Sequence, residues 1–147
     1  MSKKISVSRA RHNARRCALQ AVYQWQLAGQ DVAEIESQFL GEEDITRADA
    51  EYFGLLVRGV AGRATALDEH LRPFLDRPVA ELDPVELAIL RIASYELAHY
   101  PEIPYRVVIN EAVELAKAFG AEQSHRYVNG VLDKVARVLR PAETKGR

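Results

Sequence analysis

The sequence predicts an all-α fold, a compact bundle of about seven helices, and three observations predict it. Apolar residues recur at three- and four-residue intervals along most of the chain. No stretch alternates apolar and polar residues as a half-buried strand must. Helix breakers and caps, among them Gly29, Asp31, Asp83, Pro101, Pro104 and Gly120, fall between the periodic stretches. The 147 residues suit a single domain and leave no room in this chain for a catalytic domain beside a recognition domain.

The first helix has Ala14, Cys17, Ala18, Ala21, Val22 and Trp25 on one stripe and ends near Gly29. Trp25 reads as core, and Cys17 as a small buried hydrophobe. Asp31 with Glu34 caps a short second helix through Leu40, and Thr46 with Asp49 repeats that pattern for a third. The third continues through Tyr52, Leu55, Leu56 and Val60, then Leu67, Leu71, Phe74 and Leu75, with Pro73 kinking or ending it. Gly54, Gly59 and Gly62 weaken a helix, and close helix approach is the ordinary reason to keep them. Asp83 as cap, Pro84 behind it and Glu86 in capping-box position open a helix through about Ala98, buried along Leu87, Leu90, Ala93 and Leu97. Two prolines make residues 100–104 a turn. Val108, Ala112, Leu115, Ala116 and Phe119 then form an apolar face that stops at Gly120, expected as a left-handed cap. A last helix runs from about Glu122 to Leu139, and a polar tail begins at Pro141. The organisation expected is a flexible basic arm over residues 1–8, one helical domain over 9–140 and a tail over 141–147.

With 48% hydrophobic and 28% charged residues, the composition excludes a disordered chain. The longest charge-free stretch, residues 17–30, contains Gln20, Gln24, Gln26 and Gln30, which are costly in lipid, so no membrane span is expected. Without a signal-peptide pattern, and with Cys17 the only cysteine, the expected setting is cytoplasmic. His12, His70, His99 and His125 form no CxxC, HExxH or paired-ligand spacing, so neither a metal nor a cofactor is expected.

The net charge of -1 hides an asymmetry. Residues 1–16 hold Lys3, Lys4, Arg9, Arg11, Arg15 and Arg16 and no acid, so that segment is +6 and the remainder -7. A basic arm on an acidic body is the footprint of a polyanion binder, and RNA, DNA or an anionic membrane would each fit. Arg11 and Arg15 stand four residues apart at the start of the helical pattern, so both heads are expected to project from one rigid face, with Arg9 in the arm leading into it. Arginines there oppose the helix macrodipole, which hints at a use other than stability. A solubilising tail fits the composition as well.

Three segments, ARRCALQAVYQWQ (14–26), LDPVELAILRIASYEL (82–97) and IPYRVVINEAVELAKAFGAEQSHRYVNGVLDKV (103–135), together resemble the transcription antitermination factor NusB family. The resemblance leaves out only the ends, residues 1–8 and 141–147. It implies two small helical bundles sharing a core, and a protein that acts by binding and not by catalysis. Members of the family pair with NusE, a small-subunit ribosomal protein, and with it bind the boxA element of ribosomal RNA leaders. The RNA polymerase elongation complex then reads through termination signals. The same module leads certain RNA methyltransferases, whose methyl-transfer domain this chain lacks room for.

By position, the resemblance puts Arg11 and Arg15, with Arg9 beside them, on the RNA surface together with Arg126 and Tyr127. The family more often has lysine and phenylalanine at those last two places; the exchange keeps a cation beside a ring, so phosphate pairing and base stacking both survive. Gln123 stands where an acid is common, which favours RNA if anything. For the NusE contact the resemblance points to Tyr23 and Glu86. Taken alone, Tyr23 and Tyr127 also fit core aromatics with wet hydroxyls, Glu86 a capping residue, and Arg126 a solvated charge. Asn129 and Gly130 read as packing residues.

An RNA-binding adaptor is therefore the leading expectation, and a protein-only helical scaffold of a transcription or ribosome-assembly complex is the alternative. Ultraviolet crosslinking to RNA in cells separates the two. An enzyme has little support, since Glu42, Glu43 and Asp44 form an acidic run without a histidine or metal-ligand spacing, as a solvated linker would.

Overall fold

Ser6 opens the first helix: its Oγ accepts the Arg9 N–H at 3.1 Å, and α1 runs Val7–Ala28. The computed structural model describes residues 5–145, so Lys3 and Lys4 of the expected arm lie outside the described residues. Arg9 belongs to the helix and not to a flexible arm, because the serine cap starts the helix upstream of it. Among the described residues there are seven α-helices, three short 3-10 turns and no strand. The chain divides into two compact units, Met1–Gly62 and Arg63–Arg147.

In the first unit α1 buries Ala14, Cys17, Ala18, Ala21 and Val22 as expected, and Leu19 with them. Trp25 is only half-buried, since α1 has run past its buried stretch by then and Leu27 and Ala28 beyond it are exposed. Gly29 ends the helix at φ 64°, a backbone shape that favours glycine, and its N–H bonds to the Trp25 carbonyl. Helix α2, Val32–Leu40, is capped by Asp31, buries Ile35 and Phe39, and sets the Phe39 ring 6.0 Å from that of Phe53. The third helix is not capped by Thr46, whose hydroxyl donates to the Glu43 carbonyl inside a 3-10 turn, Glu43–Arg47. That turn tucks Ile45 inside, and the cap moves to Asp49, whose carboxylate accepts the Tyr52 N–H at 3.0 Å to start α3, Ala50–Leu71. A Cβ at Gly54 would come within 2.8 Å of Glu36 Oε2 and Arg58 Nη1, the tips of two side chains that form an ion pair over it, so a larger residue there would displace that pair. Gly62 has open space around it. Close approach therefore does not explain it; the helix breaks at the next residue, Arg63, with φ -127° and ψ 18°.

The second unit holds α4 (Pro84–His99), α5 (Tyr105–Phe119), α6 (Ser124–Leu139) and α7 (Pro141–Thr144), with α4, α5 and α6 packed on one another. Asp83 caps α4 as expected, its Oδ1 accepting the N–H groups of Val85 at 2.8 Å and Glu86 at 3.2 Å. Leu90, Leu97, Val108, Leu115, Val128, Leu132 and Val135 fill the core between these helices, each worth about 1.5–3 kcal/mol of burial. Arg91 holds Asp68 through two parallel bonds of 2.9 and 2.8 Å, tying α3 to α4.

At the far end of this unit the structure departs from expectation twice. Gly120 is extended, φ -89° and ψ 175°, and not left-handed; glycine is needed because a Cβ would come within 2.8 Å of the Ala116 carbonyl oxygen and of Ser124 Cβ. The expected polar tail is in part a helical turn, α7, with Thr144 buried. It is anchored by Arg140, 6% exposed, which donates to the carbonyls of Leu97 (2.8 Å), Ile103 (2.9 Å), Tyr100 (2.8 Å) and Glu96 (3.4 Å). Those acceptors lie at the end of α4 and in the proline turn after it, where the last carbonyls of a helix lack an intrahelical partner; the Glu96 and Tyr100 carbonyls also accept the backbone N–H groups of Tyr100 and Ile103. Arg140 also pairs with Glu143, whose other oxygen accepts the Tyr105 N–H at 3.0 Å and so caps α5. One ion pair closes both helix ends at that turn.

Candidate nucleic-acid interface

In the first unit the arginines are arranged by a ring that sequence spacing did not reveal. Tyr52, on the first turns of α3 and 3% exposed, has the Arg11 guanidinium 4.7 Å from its centroid and that of Arg15 5.6 Å away. The start of α1 is held against the turn before α3 by Asp49 N–H to the Ala10 carbonyl at 3.0 Å and by Asn13 Nδ2 to the Arg47 carbonyl at 2.8 Å. Asn13, between Arg11 and Arg15 in the sequence, is thus a structural tie.

This arrangement corrects the expectation of two projecting heads. Arg15 is 4% exposed and lies inside, on Tyr52, because the ring offers a π face where the helix meets α3. Arg11 is partly buried with its Nε shielded from solvent, and Arg9 is fully on the surface. Beside them Arg9, Arg16 and Arg47, with Asn13, Gln20 and Thr46, line a cleft of about 510 Å³ that Glu43 and Asp44 also enter. Cys17 lies at the same cleft as a buried free thiol. Its pKa is raised, first by burial and then by the Asp44 charge, so it stays protonated.

Tyr23 projects from α1 with 38% exposure, and Leu27 one turn later is 58% exposed, giving that helix an apolar outer edge. Of the sequence-derived residues, Arg9, Arg11, Arg15 and Tyr23 thus belong to the first unit.

Arg126, Tyr127 and Glu86 belong to the second. Arg126 is exposed in the first turn of α6, and Tyr127 beside it is partly exposed. The Tyr127 hydroxyl accepts the Asp76 N–H at 3.3 Å, and the Arg77 guanidinium lies 5.5 Å from the ring centroid. Arg77 is in turn gripped by the Asp76 carboxylate at 2.8 and 2.9 Å. Burial raises the Tyr127 pKa, so its hydroxyl remains neutral. Glu86 is 8% exposed in the first turn of α4, which limits the contact area it offers a partner. Asn129 and Gly130, expected as packing residues, are exposed, because the buried stripe of α6 runs through Val128, Val131 and Leu132. Among the described residues no group of three or more histidine, cysteine, aspartate or glutamate side chains could hold a metal, and no helix is long and apolar enough to cross a membrane.

The NusB family model matches residues 12–137. The chain belongs to the NusB family. The transcription antitermination protein NusB of Alcanivorax borkumensis is 58% identical over 142 residues, covering 97% of this chain and 95% of its own. That of Escherichia coli is 54% identical over 132 residues, covering 90% and 95%. A structure of T. maritima NusB superposes with a TM-score of 0.78 at 27% identity, covering 92% of this chain and 93% of that one. A crystal structure of the antitermination factors NusB and NusE in complex with dsRNA gives 0.79 at 27% identity, covering 86% and 96%. The fold expected from the sequence, all-α with two helical units, is the NusB fold.

Within this NusB-family chain, sequence reasoning missed Tyr52, Asp76 and Arg77. Tyr52 was hidden in an apolar run that reads as core. The one signal for Arg77 was a charged pair followed by Pro78, which marks a turn whose polar side chains face outward.

Proposed function

We propose that this chain is a non-enzymatic RNA-binding factor of transcription antitermination, working in the cytoplasm with a NusE partner on boxA-type single-stranded RNA so that RNA polymerase reads through terminators. The observation that carries this reading is the cationic start of α1, where Arg11 and Arg15 are held on Tyr52 and Arg9 reaches solvent beside them. A guanidinium fixed on a ring loses less freedom on meeting a phosphate than one on a mobile chain. Arg126, next to Tyr127 in the first turn of α6, adds an exposed cation, and the partly exposed Tyr127 ring adds a surface for base stacking. The exposed Tyr23 and Leu27 edge of α1 suits the protein partner, to which Glu86 adds charge more than area.

The test is RNA binding across a salt series, with and without NusE, using a boxA-type single strand and the same strand as a duplex, since the related complex contains dsRNA. Arg11→Glu, alone and with Arg9→Glu, is expected to weaken single-strand binding and make the salt slope shallower by about 0.7 for each phosphate no longer neutralised. Unchanged affinity and slope would remove this face from the RNA site, and a preference for the duplex would replace the single strand as ligand.

A further inference from the structure

We propose that Arg77 is a base-reading residue: laid on the Tyr127 ring and clamped by Asp76, it presents the open end of its guanidinium to the O6 and N7 acceptors of a guanine in bound single-stranded RNA. The proposal rests on the RNA reading above and gives that ligand a base preference.

An arginine head has five N–H donors arranged along two edges. Nε and one N–H of Nη2 point at Asp76 Oδ1 and Oδ2, so the side edge is taken. The end edge, one N–H of Nη1 and the second of Nη2, is a parallel pair of donors on an exposed side chain, Arg77 being 43% accessible. Two parallel donors match two adjacent acceptors. Guanine shows such a pair on its Hoogsteen edge, clear of the sugar; cytosine also sets N3 beside O2, but that O2 lies against its ribose, while adenine sets a donor beside its N7 and uracil flanks its N3–H donor with single acceptors.

Phosphate also has two acceptor oxygens, but Asp76 disfavours it. The carboxylate cancels the charge of Arg77, and Glu86 adds a further negative field, so what remains at the end edge is hydrogen-bond geometry more than net attraction. The pair is firmly ionised, for each partner pushes the other's pKa outward: Asp76 lies below the usual carboxylate range and Arg77 above its own. Tyr127 fixes the tilt, because its ring lies under the guanidinium while its hydroxyl holds the backbone of the same loop. Pro78 restricts that loop on its other side.

The full-length chain is titrated with uridine-only RNA of about 12 nucleotides and with the same strand bearing one central guanosine, cytidine or 7-deazaguanosine. The unaltered protein is expected to favour the guanosine strand about five- to tenfold, the low end for a bidentate base contact at an exposed site. The 7-deazaguanosine strand, which lacks N7, should lose most of that preference. Arg77→Gln should bring the guanosine-to-uridine ratio close to one, with an unchanged melting curve showing that the fold is intact. Equal binding of guanosine and uridine strands, a preference for cytidine, or a guanosine preference that survives Arg77→Gln would each overturn the proposal. An equal loss on every strand in Arg77→Gln would overturn it too, making Arg77 a phosphate contact. Binding to none of the strands would overturn the RNA reading itself, which is distinguishable from binding without base preference.

Discussion

Tyr52 shows how one side chain serves both stability and charge placement. It is 3% exposed, so it contributes as a core ring, yet two guanidinium groups lie on it at 4.7 and 5.6 Å. Each such contact is worth about 0.5–2 kcal/mol depending on how far water is excluded. Arg15 is the more deeply buried of the two, and Arg11 lies nearer the ring. Tyr52→Ala should therefore cost about 3–5 kcal/mol of unfolding free energy in urea, the ordinary cost of deleting a buried aromatic. It should also weaken RNA binding at concentrations of urea where the variant is still folded, because Arg11 then loses its support. Tyr52→Phe keeps the π face and should retain RNA affinity. Were Tyr52→Ala to bind RNA as the unaltered chain does, the ring would be a packing residue alone.

Between helices, Arg140 and Glu143 act as the caps that the local sequence of α4 and α5 lacks. Removing Arg140 leaves the carbonyls of Leu97 and Ile103 without their side-chain donor and Glu143 without its ion-pair partner. Arg140→Ala is accordingly expected to cost about 3 kcal/mol or more in urea unfolding. The Tyr105 N–H first, and the Arg140 guanidinium after it, hold the Glu143 carboxyl below its usual range. A lowered folded pKa means that its stabilisation is present above the unfolded value and disappears as pH falls through the folded one. Glu143→Gln should thus lower stability at neutral pH and flatten the acid limb of the stability curve; an unaltered acid limb would show the carboxylate to be idle. These elements also show what could be read in advance. Asp31, Asp83 and Gly29 were legible because capping and a left-handed turn are settled within a few residues. The α7 turn and the extended Gly120 were not, since Arg140 finds its carbonyls 37 to 44 positions away and Gly120 answers to the approach of Ser124. The site divides in the same way. Exposed Arg9 and Arg126 follow from composition and helical phase, whereas the burial of Arg15 and the seating of Arg77 on the Tyr127 ring come from partners on other elements.

Across the full chain, the opposition of arm and body is sharper than the net charge suggests, and it is concentrated in one unit. Residues 1–62 hold eight basic and eight acidic residues, and six of the bases precede Cys17 while every acid follows it. The acids are not remote, for Glu43 and Asp44 line the same cleft as Arg9, Arg16 and Arg47. An RNA strand drawn to the start of α1 must therefore approach two carboxylates that repel it. A unit charge about 8 Å away in a watery setting contributes roughly 0.5–1 kcal/mol, enough for the two together to reduce affinity severalfold. On the proposed reading, such a penalty would keep a small basic surface from settling on every transcript and make a partner's added surface decisive. Glu43→Gln with Asp44→Asn should then raise affinity for single-stranded RNA about fivefold at low salt. The gain should fade toward none as added salt shortens the screening length to about 3 Å near 1 M. A salt titration of both proteins side by side measures it. If the two curves coincide at low salt, the acids do not share a field with the bound strand, and selectivity must come from base contacts alone.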